Sequence, residues 1–498
     1  MIDRFAERQK TASLKDKRPV SLFIFVFCLL SFVLCLSGCR EYKVSNDPSL
    51  RLSFSCDTLL FDTVFTEQGS ATAQIMVYNR NKSAVMIDHV WLSDGSYFRV
   101  NVDGEADLSR LHNLQINGGD SVFVFVRTDI NPTSKNAPLV SDKLHFHLTN
   151  DVTQGIVMEA YGQDVTRIGR KGCQRTDTAS ATFKADKPYL IYDTLVIRKK
   201  LTINKGARIY MHSGACIIVL GDVSAKGDQT QPITIQGDRL DYLFEHVPYA
   251  YAGGSWDGIY LQAEKKQTYE FEYVDILSGN VGLYALGVDD AKPSLRMDGC
   301  RIHNHSQYGL VLLHTNALVT NTEISNCASY CVYCSGGTHR FIHTTVASYF
   351  GSTDVRIQST VKDNTAAVYI DNLNKQQTTN TSFLNSIITG YLSEQVVVAT
   401  PFDQYYPGSF VGNYLKTEEL KFPHATDNTY WQKSDKAVFR NTYFKYREYE
   451  YYDFRLDSLS PAREAGDSLT AVPYPTDRNG VSRANLSKPD AGCYQYQP

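Results

Sequence analysis

The chain is 498 residues long and nearly balanced in charge, with 50 Lys+Arg against 53 Asp+Glu and a formal net charge of -3 at pH 7. Acids and bases are interspersed, so no basic stripe stands ready to grip a phosphate backbone, and nucleic acid is disfavoured as a partner. With 32 Tyr and 24 Phe set among Asn, Thr, Ser and Gly, the composition favours strands and turns and leaves little room for α-helix.

At the N-terminus, Arg4, Arg8, Lys10, Lys15, Lys17 and Arg18 precede an apolar run from Ser21 to Leu36, which closes on Leu36-Ser37-Gly38-Cys39. The run is shorter than the about 20 residues that a membrane span needs, and Ser37 and Gly38 are small enough for a signal peptidase. The segment resembles the precursor of a bacterial lipoprotein. That resemblance implies a signal peptide over 1–38, lipidation of Cys39 and a membrane as partner through the N-terminal lipid. One short acyl chain binds membranes only marginally, so the anchor is read as multiply acylated. Residues 39–50 form a tether, and Arg40, standing where an aspartate commonly signals inner-membrane retention, points to the outer membrane with its face left open.

From 51 to 165 the pattern is of short alternating strands: 73–78, 85–87, 90–92, 121–126 and 143–148, with turn signals at Asn79-Arg80-Asn81, Asp94-Gly95 and Gly118-Gly119-Asp120. Strands at this spacing predict an antiparallel β-sandwich. The strand ending in Val77-Tyr78-Asn79, the Gly-Gly-Asp turn before a Phe/Val strand, and the closing Glu159-Ala160-Tyr161-Gly162 resemble the immunoglobulin-like modules named after Hydin and major sperm protein. Such modules bind or space. Residues 166–188, basic and polar, read as a linker.

Beyond it, segments around Ile276, Ile302, Ile324 and Val346 align on one another at a period of about 22 to 26 residues, which predicts a solenoid coil built of strands. Ser278, Asn304, Asn326 and Ser348 follow the anchors at one corner, while Phe271, Met297, Val319 and Phe341 precede them as an inward apolar stack. Ile387 is the next predicted anchor, after an irregular stretch from Thr360 to Asn380. The Gly- and Asp-broken strands from Thr194 to Ile235, with Gly253-Gly254-Ser255-Trp256-Asp257-Gly258-Ile259 after them, resemble the opening of right-handed parallel β-helix repeat proteins of bacterial surfaces. The predicted fold class is therefore all-β: a sandwich, then a right-handed parallel β-helix over 189–450, then a C-terminal cap over 451–498 that covers the exposed last coil.

With the leader gone and Cys39 lipidated, Cys56, Cys173, Cys216, Cys300, Cys327, Cys331, Cys334 and Cys493 remain, and an exported chain permits disulfides among them. Cys327, Cys331 and Cys334 match an iron–sulfur spacing, but Cys331 occupies the glycine slot of its coil, a structural place. Asp289-Asp290 lacks the oxygen-ligand cadence of a calcium loop. His303, His305 and His343 are spaced irregularly for zinc. No cofactor and no metal are expected.

Asp275, Arg301 and Glu323 precede successive anchors and so share an outer column, with coils about 4.8 Å apart and the two carboxylates about 9.6 Å apart. That suits the inverting separation of a glycosidase, about 6.5–9.5 Å, and a polysaccharide lyase needs a similar charge clamp and base. The plainer reading of acid, base and acid is a solvated ladder worth little. Trp256, Tyr260, Tyr284 and Tyr333 are candidate surfaces for sugar stacking, against the plainer reading as packing residues. The reading adopted is a non-catalytic envelope module that presents a β-face to a glycan or another envelope protein. A carbohydrate-active enzyme and a structural spacer are the alternatives.

Overall fold

The computed structural model describes residues 43–131, 139–169, 174–244, 247–288, 292–350, 365–372, 379–399, 408–421, 424–430, 438–443, 451–484 and 488–498. The expected leader and lipidation site at Cys39, together with Cys173 and the Asp289-Asp290 pair, lie outside the described residues. The chain divides into two compact units: one holds residues up to 60 together with 71–128 and 141–159, and the other holds 61–70, 129–140 and everything from Ala160 onward.

In the first unit, one antiparallel sheet places Ser53–Phe54, Ala73–Tyr78, Ser121–Thr128 and Phe98–Val102 side by side, and a second contains Thr153–Gln163, Leu139–Leu148, Val85–Leu92 and His112–Ile116. Alternate residues are buried: Ile75, Val77, Val124 and Val126 from the first sheet, and Ile87, Val90, Leu144, Phe146 and Ile156 from the second. The rings of Phe54 and Phe146, with centroids 5.5 Å apart, join the sheets into a sandwich. The predicted strands at 85–87 and 90–92 are one strand, Val85–Leu92, with a bulge at Asp88. A bulge adds one residue and shifts the alternation, so in sequence it looks like a break.

The second unit is a parallel β-helix. Tyr189, Ile209, Ile235, Ile276, Ile302, Ile324, Val346, Ile388, Leu415 and Tyr430 pair one over the next in parallel register. Ile276, Ile302, Ile324 and Val346 are fully buried, as the period requires. Burying one such side chain stabilises by about 1.5–3 kcal/mol. The second inward stack runs Phe271, Met297, Val319, Phe341, Phe383 and Phe410. The last three rings stack at 4.5 and 5.6 Å. Long strands such as Tyr308–Thr320 and Val332–Ile342 serve two walls by bending at His314 and at Gly336-Gly337, all with positive φ.

Two expectations need correction. The anchor after Val346 is Ile388, not Ile387, because Thr345 pairs with Ile387 and Val346 with Ile388. Ile387 faces outward into a separate apolar cluster, so both residues of the Ile-Ile pair are buried and the sequence cannot tell them apart. The supposed linker over 166–188 is the first coil: Thr166–Ile168 pairs with Tyr189–Ile191, and Arg175–Phe183 with Thr194–Asn204. A terminal coil has a neighbour on one side only and tolerates polar residues, which is why its composition resembles a linker.

The corner column also has a backbone cause. Ser278, Asn304 and Asn326 have φ of 62°, 61° and 52°, a left-handed conformation that asparagine tolerates better than most residues. Asn326 Oδ1 accepts from the Tyr349 N–H at 3.0 Å.

The C-terminal segment is a cap laid along a flank, where the expectation placed it over the last coil. Asn479 accepts from Gln229, Arg478 meets Asp275, Tyr494 meets Glu323, the Cys493 N–H donates to Thr345 Oγ1, and Asn385 Oδ1 accepts from the Asp467 N–H. The segment therefore crosses coils from that of Ile235 to that of Ile388. Beside these polar contacts, Phe439, Phe454, Leu456, Ala462, Ala491 and Cys493 close an apolar cluster over Ala347, Ile387 and Tyr414. The reason is legible in the outward column itself, which runs Asp275, Arg301, Glu323, Thr345, Ile387, Tyr414 in register. Its later members are apolar and need cover.

Candidate functional site

The coil presents two outward walls whose chemistry differs. The first carries Asp275, Arg301 and Glu323, and the structure does bring them together on consecutive rungs. It does not leave them open. Asp275 is 8 % exposed and Glu323 5 %. Asp275 accepts from Arg301 Nη2 at 3.0 Å and from Arg478 Nη2 at 2.7 Å, while Glu323 accepts from Ser325 Oγ at 2.7 Å and from the Tyr494 hydroxyl at 2.6 Å. Burial pushes the Tyr494 hydroxyl far above its usual range and Glu323 adds to the effect, so Tyr494 remains a donor. A substrate cannot reach these carboxylates while Arg478 and Tyr494 occupy them, so the catalytic clamp is corrected to a buried polar seam. The solvated-ladder reading fails for the same reason. Breaking one partner of such a seam costs about 3–5 kcal/mol, unlike an exposed pair.

The second wall is aromatic. In the outward column Tyr260, Tyr284, Val311, Tyr333 and Tyr369 succeed one another in register, and Tyr308 and Tyr330 stand beside them. Ring centroids lie 5.9 Å apart for Tyr260 and Tyr284, 6.4 Å for Tyr308 and Tyr333, 4.8 Å for Tyr330 and Tyr369, and 5.7 Å for Tyr333 and Tyr369. All six tyrosines are partly buried. The Tyr333 hydroxyl donates to Asp371 Oδ2 at 3.0 Å, and Asp371 Oδ1 is buried without a hydrogen-bond partner among the described residues. Burial raises the Tyr260, Tyr284, Tyr330 and Tyr333 hydroxyls, so these positions act as neutral donors and acceptors. The wall thus offers flat apolar faces edged by hydroxyls, with the buried Asp371 carboxylate behind them as acceptor for Tyr333. That combination holds a ligand with C–H faces and many hydroxyls.

Of the four predicted stacking residues, Tyr260, Tyr284 and Tyr333 lie on this wall and Trp256 does not. Trp256 is fully buried in the coil core, with its indole N–H donating to the Leu277 carbonyl at 2.8 Å. Sequence reading missed Tyr308, Tyr330, Tyr369 and Asp371. Tyr308 and Tyr330 open equivalent segments and were within reach of the repeat, whereas Tyr369 and Asp371 follow the irregular stretch where the register is lost.

The buried histidines serve the core: burial lowers His305 to about 4 and His339 to about 3, and His303 Nδ1 lies 2.7 Å from Ser325 Oγ. The cysteines among the described residues are free thiols, and burial pushes Cys300 and Cys493 up to about 12. Among the described residues no group of three or more His, Cys, Asp or Glu is placed to hold a metal ion, and no helix is long and apolar enough to cross a membrane.

A family model described as a right-handed β-helix region matches residues 255–395, the stretch that carries both walls. The β-helix is accordingly right-handed. No curated protein matches the chain. Among solved structures, the ASH/PapD-like domain of human CEP192 is 13% identical, with 26% of this chain and 95% of that one covered at a TM-score of 0.18. Dex49A from Penicillium minioluteum is 9% identical over 69% of this chain and 65% of its own, at a TM-score of 0.12. A family 123 glycoside hydrolase from Clostridium perfringens, studied for glycolipid glycan hydrolysis, is 8% identical over 24% of this chain and 28% of its own, at 0.18. The chain spans less than two thirds of either of these last two proteins, and likenesses this slight carry no argument.

Proposed function

We propose that the chain is a lipid-anchored protein of the bacterial envelope whose β-helix binds an extended glycan along its tyrosine wall. In this reading Cys39 carries the lipid in the outer membrane, and the sandwich is an immunoglobulin-like spacer between lipid and β-helix. The leader and its Leu-Ser-Gly-Cys end support the anchor. The observation that carries the binding role is the wall itself: the partly exposed Tyr260, Tyr284, Tyr308, Tyr330, Tyr333 and Tyr369 in one face. Among the described residues these rings keep part of their surface exposed, whereas Asp275 and Glu323 lie beneath Arg478 and Tyr494. Successive rungs repeat the same group every about 4.8 Å, so a polymer gains one contact per rung and the site suits a long ligand better than a small one.

The test is a glycan array probed with protein lacking residues 1–38. Retention of a polymeric glycan is expected, weakened about 30-fold by Tyr330→Ala with Tyr369→Ala, since a pair of central aromatic contacts is worth about 2 kcal/mol. The melting temperature should stay near that of the parent. Absence of any retained glycan, or shortening of the retained glycan into products, would overturn the reading.

A further inference from the structure

The sandwich has an outward face of its own, and it gathers four of the chain's twelve histidines: His89, His112, His145 and His147. His89 is the register partner of both His112 on one neighbouring strand and His147 on the other. The bulge at Asp88 turns its carboxylate to the same side as the imidazole that follows it, with Asp88 Oδ2 2.9 Å from His89 Nδ1. His147 Nδ1 lies 2.9 Å from Thr153 Oγ1, and His112 Nδ1 donates to the Asp88 carbonyl at 3.2 Å. Three imidazoles thus have Nδ1 engaged by an oxygen, while Nε2 has no protein partner among the described residues.

That arrangement is the one metal-bound histidines adopt: an oxygen on one ring nitrogen fixes the tautomer and leaves the other lone pair for the metal. The His89 and His147 rings stand with centroids 4.9 Å apart at an interplanar angle of 43°. They are register partners on adjacent strands, and an ion shared between them would sit about 2.0–2.1 Å from each Nε2. Trp91 packs on His89 at 4.9 Å and limits how far it can swing. His89 and Asp88 are 41 % and 47 % exposed, so an ion reaches them without any opening of the fold. His145 differs: its Nε2 is 2.8 Å from Ser93 Oγ, and its ring is stacked flat on Trp91 at 4.8 Å.

We propose that His89 and His147 form a surface chelate for one borderline divalent transition metal, held in orientation by Asp88 and Thr153 and completed by water. Imidazole donors suit copper, nickel and zinc, and the order of stability among these ions puts Cu2+ ahead of Zn2+. Two protein ligands make an open site, consistent with no three ligating groups converging.

Calorimetric titration of the purified protein with CuCl2 and with ZnCl2 tests the assignment. The expected result is one high-affinity ion per chain, Cu2+ tighter than Zn2+, with nitrogen couplings from two imidazoles in the electron paramagnetic resonance spectrum of the copper form. His147→Ala should abolish the two-nitrogen signature, Asp88→Ala should weaken binding roughly tenfold, and His145→Ala should change nothing. If the His89→Ala, His147→Ala double variant binds as tightly as the parent, or if His145→Ala loses as much as His147→Ala, the chelate is wrong.

Discussion

The two outward walls of the β-helix are cut from the same repeat, yet one is wrapped and the other is left half-open. Asp275, Arg301 and Glu323, weighed as a catalytic face against a solvated ladder, lie beneath Arg478 and Tyr494. Tyr260, Tyr284 and Tyr333, weighed as stacking surface against packing, keep part of their rings exposed. The difference teaches that in a solenoid the identity of one rung's outward residue says little, and the trend along the column says more. A column that passes from Asp275 through Thr345 to Ile387 and Tyr414 must be covered. One that repeats tyrosine needs no cover to remain soluble, because each ring has a polar tip.

The largest way to break this comparison is Asp275→Ala. It strands the buried Arg478 guanidinium and takes a partner from the partly exposed Arg301, and should cost about 3 kcal/mol, read from urea unfolding. A cost below about 1 kcal/mol, the range of exposed pairs, would return the wall to the solvated-ladder reading. Acidification comes next, because both walls enclose the same interior. His305 and His339, lowered by burial to about 4 and about 3, stay neutral in the folded chain while the unfolded chain takes up protons below about 6.5. Their contribution is therefore full above pH 6.5 and is lost as pH falls from there towards 4, by about 3 kcal/mol for each histidine. His339→Gln should flatten the slope of stability against pH between 6.5 and 4.5, and an unchanged slope would refute the assignment.

Smaller effects sharpen the contrast. Tyr494→Phe leaves Glu323 Oε2 short of its donor and should cost about 1–3 kcal/mol, whereas Tyr330→Ala on the open wall should cost under about 1 kcal/mol of stability while weakening glycan retention. Equal losses of stability would erase the distinction between the walls. Smallest is the corner: Asn304→Ala should be about 1 kcal/mol worse than Asn304→Gly, since both remove the same buried amide and only alanine is strained at a φ of 61°. Thermal melts of the two variants would decide it.

The solenoid was legible because Ile276, Ile302, Ile324 and Val346 repeat a simple spatial rule, and the inward stack from Phe271 to Phe341 repeats it again. The Ile387 assignment failed where two adjacent isoleucines are both buried, one in the coil core and one under the C-terminal segment. The first coil was hidden because a rung with one neighbour has no need to look apolar. The candidate site was half legible: Tyr260, Tyr284 and Tyr333 came from the repeat, while Tyr369 and Asp371 required a register that loops had interrupted. The cover over Asp275 joins residues 203 apart in sequence, and no local pattern announces a partner at that distance.

A stack of rungs bonded only to their neighbours frays from its ends, each terminal turn peeling away at small cost. Here a single late stretch, fastened at Gln229, Asp275, Glu323, Thr345 and Asn385, works like the spine of a bound book. Pulled along its axis, the stack should give way in one event rather than leaf by leaf.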